Sequence, residues 1–151
     1  MAEALPPFQA FLDEHLEPVG AFLRGMVGPN DAEDCLQETF LAALRAYPRA
    51  EPRNLRAWVL TIASRVAIDV HRRTRPTGEL PEVAHEDARP AYEDLGELTD
   101  GLPAKERAAV VLRYGYDLTY DQIAAALDSS SEAARQAASS GVRRLRKETR
   151  R

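Results

Sequence analysis

The chain has 151 residues, enough for one domain or two small ones, and 44% of them are hydrophobic, so it can bury a core. No apolar run approaches a membrane span, the N-terminus lacks the basic stretch of a secretion signal, and a single cysteine, Cys35, excludes an internal disulfide. These features point to a reducing cytoplasm without membrane insertion, and the net charge of −4 marks no uniformly basic nucleic-acid binder.

From the N-terminus, Leu5, Phe8, Phe11, Leu12, Leu16, Val19, Phe22, Leu23 and Met26 recur at spacings of three and four, which predicts a first helical stretch. Pro18 within it predicts a break or kink, because proline has no N–H to donate and its ring crowds the preceding turn. Gly28-Pro29-Asn30-Asp31 stops one helix and starts the next. That second helix is expected to reach about Tyr47, with Ala32, Cys35, Leu36, Phe40, Ala43 and Tyr47 on its buried side. Cys35 there reads as a small core residue rather than a reactive thiol. Pro48 and Pro52 bracket a loop. A third helix follows to about Thr74, its stripe formed by Leu55, Trp58, Val59, Ile62, Ala63, Val66 and Val70.

Periodicity vanishes from Pro76 to Ala91, where Pro76, Pro81, Pro90, Gly78 and several acids make a linker. Helices resume near Tyr92, and Leu102-Pro103 opens another, with Ala108, Val111, Leu112 and Tyr114 facing inward and Gly115 at its end. Leu118 to Leu127, three serines and a further helix with a cationic tail then read as a helix-turn-helix, a unit that usually lays its second helix in the major groove of DNA. Thr119 and Gln122 have capping-box spacing, and Ser129 and Glu132 repeat it. Ala134, Ala137, Ala138, Gly141, Val142 and Leu145 share one stripe of the second helix, small enough for close helix approach. Arg135, Gln136, Ser139, Arg143 and Arg146 fall opposite, where a groove-reading helix keeps its donors. The fold class is therefore all-α: two small helical domains, 1–75 and 92–151, joined by an acidic, proline-containing linker at 76–91.

The charges are sorted along the chain. Residues 1–50 carry −5, residues 51–78 carry +4, residues 79–101 carry −7 and residues 102–151 carry +4. Two basic segments flanking a very acidic one suit two contacts with a polyanion joined by a stretch that avoids it. On the second helix, Asp34, Gln37, Glu38 and Leu41 project within about 60° of one another, opposite the buried side. A leucine among acids fits docking of a basic, partly apolar partner helix, and a solvated face with one leucine gives the same pattern. No histidine sits at ligand spacing, and no calcium loop, nucleotide loop or nucleophile–base set is present, so neither a metal, a cofactor nor an enzyme is expected. His15, His71 and His85 read as surface or interdomain residues.

Asp31-Ala32-Glu33-Asp34-Cys35-Leu36-Gln37-Glu38-Thr39-Phe40-Leu41, Ala57-Trp58-Val59-Leu60-Thr61-Ile62-Ala63 and Asp69-Val70-His71-Arg72-Arg73 resemble the N-terminal domain of the extracytoplasmic-function (ECF) sigma factors. Leu102-Pro103, Arg107, Val111-Leu112-Arg113 and Tyr120-Asp121-Gln122-Ile123-Ala124 are similar to their C-terminal domain, in the same order. The resemblance implies a bacterial transcription-initiation subunit that binds core RNA polymerase, directs it to promoter DNA, and is held in check by an anti-sigma factor.

Carried over position by position, the resemblance makes Asp31, Asp34, Gln37, Glu38 and Leu41 the polymerase-docking surface, with Phe40 in the same motif but facing inward. Arg53, Arg56, Arg65, Arg72 and Arg73 would hold phosphates around the downstream (−10) element, where strand opening exposes bases for capture. The loop from Tyr47 to Asn54 takes the place of the family's base pocket, whereas the stripe position of Trp58 assigns it to the core. Arg135, Gln136, Ser139 and Arg143 would reach bases or nearby phosphates of the upstream (−35) element. Arg144, Arg146, Lys147, Arg150 and Arg151 would add backbone attraction. The chain departs from the family at Arg65, usually asparagine, at Asp128, usually glycine, and at Ala133-Ala134-Arg135-Gln136, usually threonine-valine with basic residues. Two rival readings are a stand-alone helix-turn-helix regulator and a sigma-mimicking protein that titrates an anti-sigma factor. The first leaves the acidic docking helix idle, and the second has no use for the bases from Arg135 onward.

Overall fold

A computed structural model describes residues 4–50, 52–74, 99 and 101–149. Six α-helices stand in order among them: α1 (Phe8–Val27), α2 (Pro29–Ala46), α3 (Leu55–Thr74), α4 (Ala104–Val110), α5 (Tyr120–Leu127) and α6 (Ser131–Thr149). Short 3-10 turns at Tyr47–Arg49 and Pro52–Asn54 connect α2 to α3, and no strand occurs among the described residues. The linker expected at 76–91, the helix expected near Tyr92, His85, Arg150 and Arg151 lie outside them.

The first three helices pack around one core. Gly28, at φ +86°, closes α1 and opens α2, and Pro29 at the first helical position needs no N–H partner. Phe8, Phe11, Phe40, Tyr47 and Trp58 form an aromatic cluster in which Phe11 lies 5.9 Å from Phe40 and 5.8 Å from Trp58, both edge-on. The Tyr47 hydroxyl donates to the Pro6 carbonyl at 2.5 Å, tying the N-terminal segment onto this cluster. Trp58 is half-buried among these rings, so it is a core residue. Cys35 is buried too, and burial together with Asp31, Glu38 and Asp34 pushes its thiol up to about 11.

In α1 the break that Pro18 could have caused is absent, and the readings of Leu16 and His15 fail. The helix runs through Pro18 without a break. The proline forfeits one ladder donor, but Phe11 before it and Val19, Phe22, Leu23 and Met26 after it are all buried, and packing against α2 and α3 outweighs that loss. Leu16 points outward at 44% exposure. His15 is buried rather than superficial, its ring 4.9 Å from that of Phe11. Desolvation lowers the pKa of His15 below the ordinary 6.5, with Glu14 opposing and Arg56 assisting the shift.

The second group is built from α4, α5 and α6. Pro103 precedes the first residue of α4, whose last turn widens into a π-helical turn at Val111–Gly115. That wide turn shifts the inward register. Tyr114, expected inside, is 62% exposed, while Tyr116 and Leu118 beyond the turn are buried. The Thr119–Gln122 capping box forms in both directions, at 2.9 and 3.2 Å. The expected second box at Ser129 and Glu132 does not form. The Ser129 N–H closes α5 on the Ala124 carbonyl at 2.9 Å, so the cap falls one residue later, where Ser130 Oγ accepts from the Ala133 N–H. Asp128 makes the turn at φ +54°, ψ +52°, the left-handed conformation a glycine would take without strain. Of the small stripe of α6, Ala134, Ala138 and Gly141 are buried and Ala137, Val142 and Leu145 half-buried, and it comes close to α4: a Cβ on Gly141 would fall 2.5 Å from Val110 Cγ2.

The two groups pack on each other, because α3 meets α4 and α5 as well as α1 and α2. Ala57, Leu60, Ser64, Ala67 and Ile68 are buried although they lie off the predicted stripe of α3. The predicted Leu55, Trp58, Ile62, Val66 and Val70 are only half-buried.

Candidate docking face and nucleic-acid interface

The outer face of α2 carries Asp34, Gln37, Glu38 and Leu41, all exposed, with Asp31 partly covered and Phe40 turned into the core. Leu41 is 53% exposed and Leu44, three residues on, is 51% exposed. Two large apolar side chains one turn apart, preceded by acids and followed by exposed Arg45, form an amphipathic strip rather than a single stray leucine. Sequence reasoning missed Leu44, although its spacing from Leu41 was there to be read.

The basic residues of the α3 side divide by partner. Arg53, Arg56, Arg65, Arg72 and Arg73 are all exposed. Arg73 is paired with Asp69 at 2.9 Å across one helical turn. Arg56 donates to the Tyr116 carbonyl and lies 5.8 Å from the centre of the Tyr116 ring. Arg65 Nη2 donates to the Ala125 carbonyl at 2.7 Å. The α3 arginines therefore face two ways, and two of them touch the second helical group.

Helix α6 presents Arg135, Gln136, Ser139, Arg143, Arg144, Arg146 and Lys147 outward, opposite buried Ala134 and Ala138. Arg135 stacks at 5.2 Å on the Tyr120 ring, which Arg113 also approaches at 4.6 Å. The Ser131 hydroxyl bonds Asp121, pinning the first turn of α6 to the first turn of α5. Arg144 is bonded to Glu106 of α4 at 2.8 Å, so part of its charge is neutralised within the fold.

Between α3 and the α5–α6 turn lies a cleft of about 420 Å³, lined by Arg65, Ile68, Arg72, Lys105, Leu127 and Asp128 among others. Neither Lys105 nor buried Arg107 stood out from periodicity, because their roles depend on which elements meet. No helix of the described residues is long and apolar enough to cross a membrane.

Comparison with known proteins places this arrangement in a family. The Sigma-70 region 2 family matches residues 11–77, and the Sigma-70 region 4 family matches residues 100–147. The ECF RNA polymerase sigma factor SigD of Mycobacterium tuberculosis is 31% identical over 98% of this chain and 81% of its own length. SigX of Bacillus subtilis is 29% identical over 93% of this chain and 82% of its own. Among solved structures, the sigma factor RpoE in complex with the anti-sigma factor NepR from Bartonella quintana superposes with a TM-score of 0.71 at 21% identity, covering 93% of this chain and 94% of that one. CnrH in complex with the cytosolic domain of CnrY gives 0.68 at 20% identity, over 94% and 86% of the two chains. The chain belongs to the ECF RNA polymerase sigma factor family.

Proposed function

We propose that this ECF sigma factor divides its labour between opposite-signed faces, the acid-and-leucine strip of α2 gripping core RNA polymerase and the cationic face of α6 reading the upstream promoter element. The observation that carries this reading is the pairing of those two exposed faces on separate helical groups of one sigma-family chain. On α2, Asp34, Gln37, Glu38 and Leu41 make the contact, with Leu44 extending it and Asp31 at its margin. On α6, Arg135, Gln136, Ser139 and Arg143 reach bases and adjoining phosphates, while Arg146 and Lys147 attract the backbone in a salt-sensitive way. Arg53, Arg56, Arg65, Arg72 and Arg73 engage the downstream element as its strands part. The functional boundaries follow as 1–75 for docking and strand opening, 76–91 for the tether and 92–151 for upstream recognition.

The protein acts in the cytoplasm, catalyses nothing by itself and is restrained by an anti-sigma factor that competes for these faces. The −7 charge of residues 79–101 suits a tether passing through a basic channel of the polymerase. Reconstituted transcription with core polymerase on genomic fragments tests the assignment. Start sites that appear only when the chain is added support it, whereas tight operator-like binding without polymerase favours a stand-alone regulator. Failure to bind core polymerase at low ionic strength overturns it.

A further inference from the structure

The first half of α6 is poor in long side chains. From Ser131 to Gly141 it is mostly alanine and serine, and Arg135 is the single cation in that stretch. Arg143, Arg144, Arg146 and Lys147 all come later. A groove-reading helix presents its N-terminal residues to base edges, so in this half the reach to a base falls on Arg135 and Gln136.

Arg135 is exposed, yet its position is set from two sides. Its guanidinium lies 5.2 Å from the centre of the Tyr120 ring, half-buried at the first residue of α5. That ring is itself fixed. The Thr119–Gln122 capping box sets the first turn of α5, and the Arg113 guanidinium lies 4.6 Å from the ring centre. Arg113 comes from the π-helical turn at Val111–Gly115, and its Nη1 donates to the Leu118 carbonyl at 3.0 Å. The backbone of Arg135 is located separately, by the Ser131–Asp121 bond and by the Ser130 cap on the Ala133 N–H. A ring holds a guanidinium without using its N–H donors, whereas a carboxylate would occupy them. An arginine ordered in this way reaches DNA with its donors open and with less rotamer freedom left to lose.

We propose that Tyr120 is a positioning residue for promoter readout: its ring, backed by Arg113, preorganises Arg135, which is the chief specificity-determining side chain in the first half of α6. The inference rests on the assignment of Arg135 to the upstream element, although the ordering of Arg135 in the unbound chain does not.

The test uses holoenzyme assembled from the full chain and bacterial core polymerase. Its templates are promoters found by start-site mapping, with the upstream element randomised and each version linked to a transcribed barcode, so that transcript sequencing reads the base preference position by position. Arg135→Ala should flatten the preference at one base pair about tenfold, the usual range for a bidentate arginine contact. Tyr120→Leu should flatten that same position about threefold and add nothing in the Arg135→Ala background, as expected for two residues acting through one contact. Tyr120→Phe retains the ring and should retain the wild-type preference. A ring that serves only folding or a phosphate contact lowers output from all sequences alike and leaves the preference unaltered, which overturns the proposal. Flattening spread over every position, or Tyr120→Phe behaving as Tyr120→Leu, overturns it too. If Tyr120→Leu does not fold, the wild-type chain decides by nitrogen-15 magnetic resonance of its arginine side chains. The Arg135 Nε–H should be shifted upfield by the ring and be more ordered than that of exposed Arg143, and equal mobility overturns the proposal. Preferences that Arg135→Ala leaves unaltered at every position overturn the promoter assignment of Arg135, and the proposal with it.

Discussion

Helices α2 and α3 are adjacent and of similar length, 18 and 20 residues, yet they use their outer faces in opposite ways. The first buries one side and leaves an acidic strip with Leu41 and Leu44 to solvent. The second packs against the first helical group and also against α4 and α5, so its buried arc is wide and its arginines are partly engaged. A helix that packs only within its own group keeps a free face for an external ligand. A helix that also packs against a second group keeps less of its surface for one.

The sharpest way to break this contrast is to truncate one leucine on each helix. Leu60→Ala, at 1% exposure on α3, is expected to cost about 2–5 kcal/mol in urea unfolding through lost burial and the cavity left behind. Leu41→Ala on α2 should stay within about 0.5 kcal/mol in the same assay while weakening capture of core polymerase. Equal stability losses would show that α2 is covered as α3 is.

Next in size is the charge on α2. Replacing Asp34 and Glu38 together by Asn and Gln should reduce affinity for core polymerase about tenfold, near 1.4 kcal/mol, with upstream DNA binding intact. Arg143→Ala should do the reverse, costing about 1–3 kcal/mol in promoter binding if it reaches a base edge, with polymerase affinity preserved. Footprinting and polymerase pull-down on both variants separate the two outcomes, and identical defects would refute the division between faces.

The smallest effect is one of pH. Because burial lowers the folded-state pKa of His15, the unfolded chain takes up the proton first as pH falls through 6.5. Stability is thus full above 6.5 and declines below it, and His15→Gln should remove this component. Unfolding midpoints at pH 7.5 and pH 5.5 check the sign; a wild type that gains stability on acidification would contradict the burial of this ring.

How far the sequence was legible follows the same division. On α2 the inward set Ala32, Cys35, Phe40, Ala43 and Tyr47, with Leu36 half-buried at its edge, and the outward set Asp34, Gln37, Glu38 and Leu41 were readable, because one stripe packed within one helical group makes a simple amphipathic pattern. On α3 the same reasoning found Val59 and Ala63 but not Leu60, Ser64, Ala67 or Ile68, since periodicity within a helix carries no signal about a partner more than thirty residues away. Tyr114 and Ser129 were misplaced by single-residue shifts, one from a π turn and one from a left-handed Asp128. The outward residues of α6 were legible because its opposite stripe is so small and regular. Arg107 was quoted for its motif, but nothing local announces that a charged side chain will be buried against the end of another helix.

The contacts between the two helical groups have an asymmetry with an evolutionary consequence. Arg107 donates to the carbonyls of Gly25 and Met26, Arg56 to that of Tyr116 and Arg65 to that of Ala125, and a carbonyl is a group that every amino acid supplies. Drift on the acceptor side leaves these bonds chemically unaltered so long as the helix ends keep their course, whereas each arginine is a single genetic point of failure. One codon is thus enough to change how firmly the two groups are joined, with the exposed strip of α2 left as it was.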